Sequence, residues 1–126
     1  MPTSTKTKRS RRAATGNCYE AAVNTLMRLC REGNESDYRI VHAEIVGQGP
    51  IDGVRHGHAF VVDVVRDVAH DESNGKGLCW PLPVYASIAR MHEVGNWHEY
   101  TMKEAARLML ETGVYGPWDL ETSTGL

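Results

Sequence analysis

The fold of this chain turns on residues 38–70, YRIVHAEIVGQGPIDGVRHGHAFVVDVVRDVAH. The first nine of them, Tyr38 to Val46, are rich in strand-favouring side chains. They alternate Tyr38, Ile40, His42, Glu44 and Val46 against Arg39, Val41, Ala43 and Ile45, the period of two that an extended chain imposes, and neither set is cleanly polar. Residues 47–53, GQGPIDG, read as a turn or exposed loop, because glycine and proline interrupt ladders and permit sharp reversals. A second strand is expected from about Arg55 to Val62 (RHGHAFVV) and a third from about Val64 to His70 (VVRDVAH). The short gap between them predicts an antiparallel hairpin, although no Asn-Gly or Asp-Gly pair marks its centre.

Upstream, CYEAAVNTLMRLCR, Cys18 to Arg31, suits a helix. Cys18, Ala22, Leu26, Leu29 and Cys30 recur mostly at steps of three and four, Asn17 fits the N-cap position, and Gly33-Asn34 fits a stop. Downstream, residues 71–77 (DESNGKG) are turn-forming, and the two prolines in LCWPLP, residues 78–83, argue against a central strand. A short helix is expected over Val84 to Met91. A better marked one spans Thr101 to Glu111, where Thr101 and Glu104 form a capping-box pair and Gly113 follows as the stop. The aromatic stretch VYGPWD, Val114 to Asp119, is expected to pack back on the core. Helix, strand, hairpin and small helices in that order predict an α+β fold, a small antiparallel sheet against an N-terminal helix that carries Cys18.

A chain of 126 residues is about one domain's worth. The reading is a disordered basic arm over residues 1–15 and a single domain over residues 16–126. The arm holds Lys6, Lys8, Arg9, Arg11 and Arg12 with no acid beside them, whereas from Cys18 onward nine bases face sixteen acids, a formal balance of −7. Such a body repels phosphate backbones, so nucleic acid is not the expected partner, while the arm suits an acidic one. No apolar run approaches the roughly 20 residues of a membrane span, and the N-terminus has no apolar signal-peptide stretch, so a cytoplasmic location is expected. Cys18, Cys30 and Cys79 make neither an even disulfide framework nor a CxxC pair, which fits free thiols in a reducing compartment.

Cys18 stands where a nucleophile would be useful. The first turn of a helix offers unpaired N–H groups and the positive end of the peptide dipoles, which favour a thiolate and an oxyanion alike. The bland alternative is a small buried apolar residue. His58, on the expected second strand after Gly57, can accept a thiol proton and return it to a leaving amine if it is held near the sulfur. A carboxylate must then fix the imidazole. If hairpin pairs sum to 129, Asp71 faces His58; a sum of 125 brings Asp67 opposite instead, and His70 is a neighbour or alternate base in either case.

Taken together, GNCYEAA, GHAFV and AHDESNG resemble the papain-like and transglutaminase-like superfamily of cysteine enzymes. The resemblance covers about Gly16 to Gly75. It implies a papain-like core, a helix opened by the nucleophile Cys18, His58 as base on a strand, and Asp71 as the orienting acid on the next strand, with Asp67 the alternate. It implies attack on an amide or related acyl carbon, with a protein or peptide as substrate. Family members carry a polar oxyanion donor, often Gln, a few residues before the cysteine. This chain has Thr15, Gly16 and Asn17 there, so Asn17 and, on the loop, Gln48 are the oxyanion candidates.

Two rival readings stand beside this one. His42, His56, His58, His70 and Cys79 are metal-ligand types, but no second closely spaced ligand pair accompanies His56-x-His58, and no metal is assigned. Trp80, Tyr85, Trp97, Tyr100, Tyr115 and Trp118 are either core or the anchors of a noncatalytic domain that docks on another macromolecule. Gly47-Gln48-Gly49 lacks the rest of a dinucleotide fingerprint, and no Walker loop is present, so no cofactor is expected.

Overall fold

A computed structural model describes residues 17–47, 53–73, 77–91 and 96–121. The chain is α+β. Helix α1 (Asn17–Glu32) leads through a 3-10 turn (Glu35–Asp37) into β1 (Tyr38–Val46), β2 (Arg55–Asp63), β3 (Val68–Asp71) and β4 (Leu78–Pro81). Helix α2 (Leu82–Ile88), β5 (Trp97–Tyr100) and helix α3 (Met102–Thr112) follow. The strands form one open antiparallel sheet in the order β4-β3-β2-β1-β5. Among the described residues no helix is long and apolar enough to cross a membrane. The basic arm expected over residues 1–15 lies outside the described residues.

Both faces of the sheet are covered, which is why β1 shows no clean polar face. Helix α1 buries Cys18, Tyr19, Ala22, Val23 and Leu26 against Ile40, Ala59 and Val61, and Ala105 of α3 completes that layer. The opposite layer packs Val41, Ala43, Phe60, Val62 and Ala69 under Tyr85 of α2, with Ala89 and Met91 just beyond it. Helix α3 has the expected start: the Thr101 side chain accepts from the Glu104 amide at 3.1 Å, and the Glu104 carboxylate accepts from the Thr101 amide at 2.8 Å.

The hairpin differs from expectation in register. β2 runs one residue further, to Asp63, and the third strand begins only at Val68, because Asp63 builds the turn itself. Its Oδ1 accepts from the amides of Val65 and Arg66 at 3.0 and 2.9 Å, and its Oδ2 accepts from the Arg66 guanidinium at 2.7 Å. Asp67 turns the chain at φ 60°, a conformation that aspartate tolerates better than most residues. Val61 therefore pairs with His70, Val62 with Ala69 and Asp63 with Val68, a pairing sum of 131 that is neither expected value. Asp67 belongs to this turn and not to a strand.

Two strands went unread in the sequence. Leu78–Pro81 forms the outermost strand beside β3, an edge where proline is tolerated. Trp97–Tyr100 pairs with β1 on the other edge. Helix α2 starts at Leu82, two residues before the expected Val84, with Pro83 in its first turn.

Candidate active site

Asn17 is the first residue of α1 rather than the residue before it, so Cys18 lies in the first turn of the helix. The sulfur-bearing side chain is buried, with Cys18 only 4% exposed among the α1 layer. His58 stands near the start of β2 and its side chain is 12% exposed. The imidazole Nε2 hydrogen-bonds Asp71 Oδ2 at 2.7 Å, and the Cys18 thiol is close enough to raise the basicity of the ring. With Nε2 committed to Asp71, Nδ1 is the ring nitrogen left to the sulfur.

The register explains how Asp71 reaches His58 without standing opposite to it. A sum of 131 sets Asp71 level with Phe60, two residues along from His58, and both side chains lie on the same sheet face as a diagonal pair. The His58 ring stacks against Phe60 at 6.3 Å between centroids. Parity puts this face on the α2 side, whereas Cys18 packs in the α1 layer.

Asp71 is held from three sides. Besides His58, its Oδ2 accepts from the Tyr85 hydroxyl at 2.5 Å, and its Oδ1 accepts from the Ser73 amide at 2.9 Å. Burial works against its charge, but the hydrogen bond and positive charge of His58, the Tyr85 hydroxyl and the Ser73 amide outweigh it and hold the carboxyl well below its ordinary range. For His58 burial again opposes the charged form. The hydrogen bonds to Asp71 and Cys18 and the charges on both outweigh it, and the imidazole is held up at about 9. Burial, reinforced by the neighbouring Asp71 charge, pushes the Tyr85 phenol far upward, so its hydroxyl remains a donor. Immediately after Asp71, Glu72 accepts a two-pronged bond from Arg28 of α1 at 3.0 and 2.7 Å, which ties the helix carrying Cys18 to the strand exit carrying Asp71.

Tyr85 was visible in the sequence only as one of six aromatics. Its role depends on where α2 lies over the sheet, and nothing local to VYASIARM signals that. The remaining residues that the sequence singled out do not join this group. Asp67 is in the turn at the far end of β2 from His58, so the alternate acid is displaced from the base by the turn that Asp63 builds. His70 pairs with Val61 on the opposite face and sets its ring edge-on to Tyr38 at 6.4 Å. His56 Nδ1 faces the Gly57 carbonyl at 3.1 Å. Gln48 and the side chain of Asn17 lie outside the described residues. Among the described residues no three His, Cys, Asp or Glu side chains are grouped to hold a metal ion. Of the six aromatics, Tyr85 and Tyr100 are buried, Trp97 and Trp118 are half-buried, and Trp80 and Tyr115 are exposed.

His42 is a separate case. It is completely buried, and neither ring nitrogen has a hydrogen-bond partner. The rings of Tyr19, Trp118 and Tyr100 surround it at 4.9, 4.8 and 5.2 Å. Burial, helped by the nearby His98 and opposed by Asp119, pushes its imidazole down to about 4.

Chemically, the Cys18, His58 and Asp71 arrangement offers a sulfur nucleophile, a group that can exchange a proton with it, and a fixed carboxylate that sets the tautomer. No protein-family model, curated protein or solved structure matches the chain.

Proposed function

We propose that this chain is a small cysteine hydrolase, a peptidase, isopeptidase or amidase acting through an acyl-enzyme, with a papain-like core and transglutaminase-like transfer as the variant in which an amine is the acceptor. The observation that carries this reading is the shared imidazole: His58 is bonded through Nε2 to Asp71 at 2.7 Å and has its basicity raised by Cys18 as well. Cys18 attacks an amide carbon, and the imidazolium gives its proton to the departing amine. A thioester results, which water or a second amine resolves while His58 takes a proton from the attacking molecule. Asp71 keeps the imidazole in one tautomer and balances its charge, and Tyr85 and Ser73 keep Asp71 in place. Backbone amides at the start of α1 supply the positive pole for the tetrahedral oxyanion. The substrate is a protein or peptide, and an acidic partner suits the residue 1–15 arm.

Two observations favour a second reading, a noncatalytic domain that docks on another macromolecule. Cys18 is buried in an apolar layer, where a thiol can serve simply as a small core residue, and Trp80 and Tyr115 are exposed. Iodoacetamide separates the two. The enzyme reading expects Cys18 to be alkylated faster than the exposed Cys79 in the native protein, with that advantage lost in His58→Ala. Alkylation of Cys18 slower than that of Cys79, and indifferent to His58, would leave the docking domain.

A further inference from the structure

On the α2 side of His58 the structure contains a pocket of about 200 Å3 that the reaction as written above does not use. Ile45 and Val46 of β1 and Ile88 and Ala89 at the end of α2 make its apolar wall, and His58 stands in the same wall. Backbone bonds tie its walls together: the Val46 amide donates to the Ala89 carbonyl at 3.0 Å, and the Gly47 amide to the Val54 carbonyl at 2.7 Å. A volume near that of cavities that bind benzene accepts one branched side chain and not a run of peptide. The ionisable groups in the wall are already engaged. Asp71 accepts from His58, Tyr85 and Ser73, and His56 is turned to the Gly57 carbonyl. Among the described residues no lysine or arginine lines the pocket, so a charged guest would be desolvated there without a counter-ion.

The position of His58 says which part of a substrate this pocket meets. The imidazole delivers its proton to the leaving amine, so the leaving group is the portion held closest to the ring. We infer that the pocket lined by Ile45, Val46, Ile88 and Ala89 receives an uncharged aliphatic side chain on the residue that carries the leaving amine, and therefore equally on an amine that resolves the thioester. This rests on the acyl-enzyme reading above. By microscopic reversibility an acceptor amine enters where the leaving amine departs. Its nitrogen attacks the thioester carbonyl, the C–N bond forms as the C–S bond breaks, and the amine proton passes through His58 to the sulfur.

The test uses two readouts. The full chain is acetylated with p-nitrophenyl acetate, which releases p-nitrophenolate, and the acetyl-enzyme is partitioned between water and leucinamide, glycinamide, lysinamide or the α-amide of aspartate. Acetylated amides are counted by mass spectrometry. Leucinamide is expected to be acetylated at least about tenfold more efficiently than the others, the scale of discrimination available to an apolar pocket. That preference should fall towards unity in Ala89→Leu, which fills the pocket, and in Ile88→Asp, which puts a carboxylate at its 41% exposed rim. Equal use of the four amines, or a leucinamide preference untouched by both variants, overturns the inference while leaving the hydrolase in place. In parallel, leucinamide titrated into Cys18→Ala should saturably shift the methyl resonances of Ile45, Val46, Ile88 and Ala89, and glycinamide should not. If no acetyl-enzyme forms, the hydrolase reading fails. Methyl shifts would then retain the pocket as an aliphatic binding site only, and their absence would remove both.

Discussion

His58 is the residue on which the most forces converge. Taking an imidazole out of water favours its neutral form, yet Asp71 on one side and Cys18 on the other hold it protonated up to about 9. Removing the charge of Asp71 while keeping its shape should therefore expose the burial that it outweighs. In Asp71→Asn the His58 ring, followed by NMR, is expected to titrate about one to three pH units lower than in the parent. An unchanged midpoint would mean that Asp71 does not set the imidazole's charge. Tyr85 acts one step further out. Tyr85→Phe keeps the ring against Phe60, at 4.8 Å between centroids, and deletes the hydroxyl that donates to Asp71. A buried carboxylate that loses one of its donors should cost about 1.5–3 kcal/mol of unfolding free energy in urea, against a few tenths if the hydroxyl is incidental.

At the scale of elements, the C-terminal segment shows how a short piece of chain can fix the site's neighbours. Gly116, at φ 138°, lies so close over the His42 and Tyr19 rings that an added Cβ would stand 2.7 Å from His42 Cε1 and 2.9 Å from Tyr19 Cδ1. Gly113, at φ 76°, closes α3 with open space around it. Both substitutions to alanine pay for a left-handed backbone, but only Gly116→Ala also pushes Tyr19, the neighbour of Cys18, out of its packing. Gly113→Ala is expected to cost about 1 kcal/mol and Gly116→Ala about 2–3 kcal/mol, measured by denaturant unfolding. Equal costs would show that the segment yields easily.

The same elements show what the sequence could and could not convey. α1, β1 and α3 were readable because each carries a local signal of its own: the helical spacing from Cys18 to Cys30, the nine-residue alternation of Tyr38–Val46, and the reciprocal cap of Thr101 and Glu104. The hairpin was readable as a hairpin but not in register, because its turn is set by Asp63 side-chain bonds to Val65 and Arg66, and not by an Asn-Gly dipeptide. β4 and β5 were missed since each is four residues long and stands at an edge, with strand identity supplied by a neighbour rather than by its own pattern. The pairing of His58 with Asp71 depends on a diagonal reach across two strands, and its support by Tyr85 on a helix docked from elsewhere. The pair itself was expected, from a hairpin sum of 129, and is made diagonally at a sum of 131 instead, whereas the Tyr85 support has no spacing in the chain by which to be recognised.

For the whole molecule, two buried histidines on opposite faces of one sheet pull stability in opposite directions with pH. His42 is held neutral, so as pH falls from 6.5 towards 4 the unfolded chain takes up a proton that the folded chain refuses, and stability is lost. His70, pushed down by burial, adds to this acid limb with the same sign, and the depressed carboxylates Asp71, Asp63 and Glu72 extend it at lower pH. His58 is held charged. Its contribution is complete below 6.5 and disappears as pH rises through about 9, because only the folded chain keeps that proton in between. A shift of this size on each buried ring corresponds to about 3 kcal/mol over its window. The free energy of unfolding, measured in urea at constant ionic strength, should therefore peak near pH 6.5 and decline on both sides. His42→Leu should flatten the upper acid limb and leave the alkaline one, while His58→Gln should flatten the alkaline limb and leave the upper acid limb between pH 6.5 and 4, weakening only the part at lower pH that Asp71 supplies. A profile level from pH 5 to 9, or one in which either substitution alters both limbs alike, would mean that the two faces of the sheet do not hold their histidines in opposite charge states.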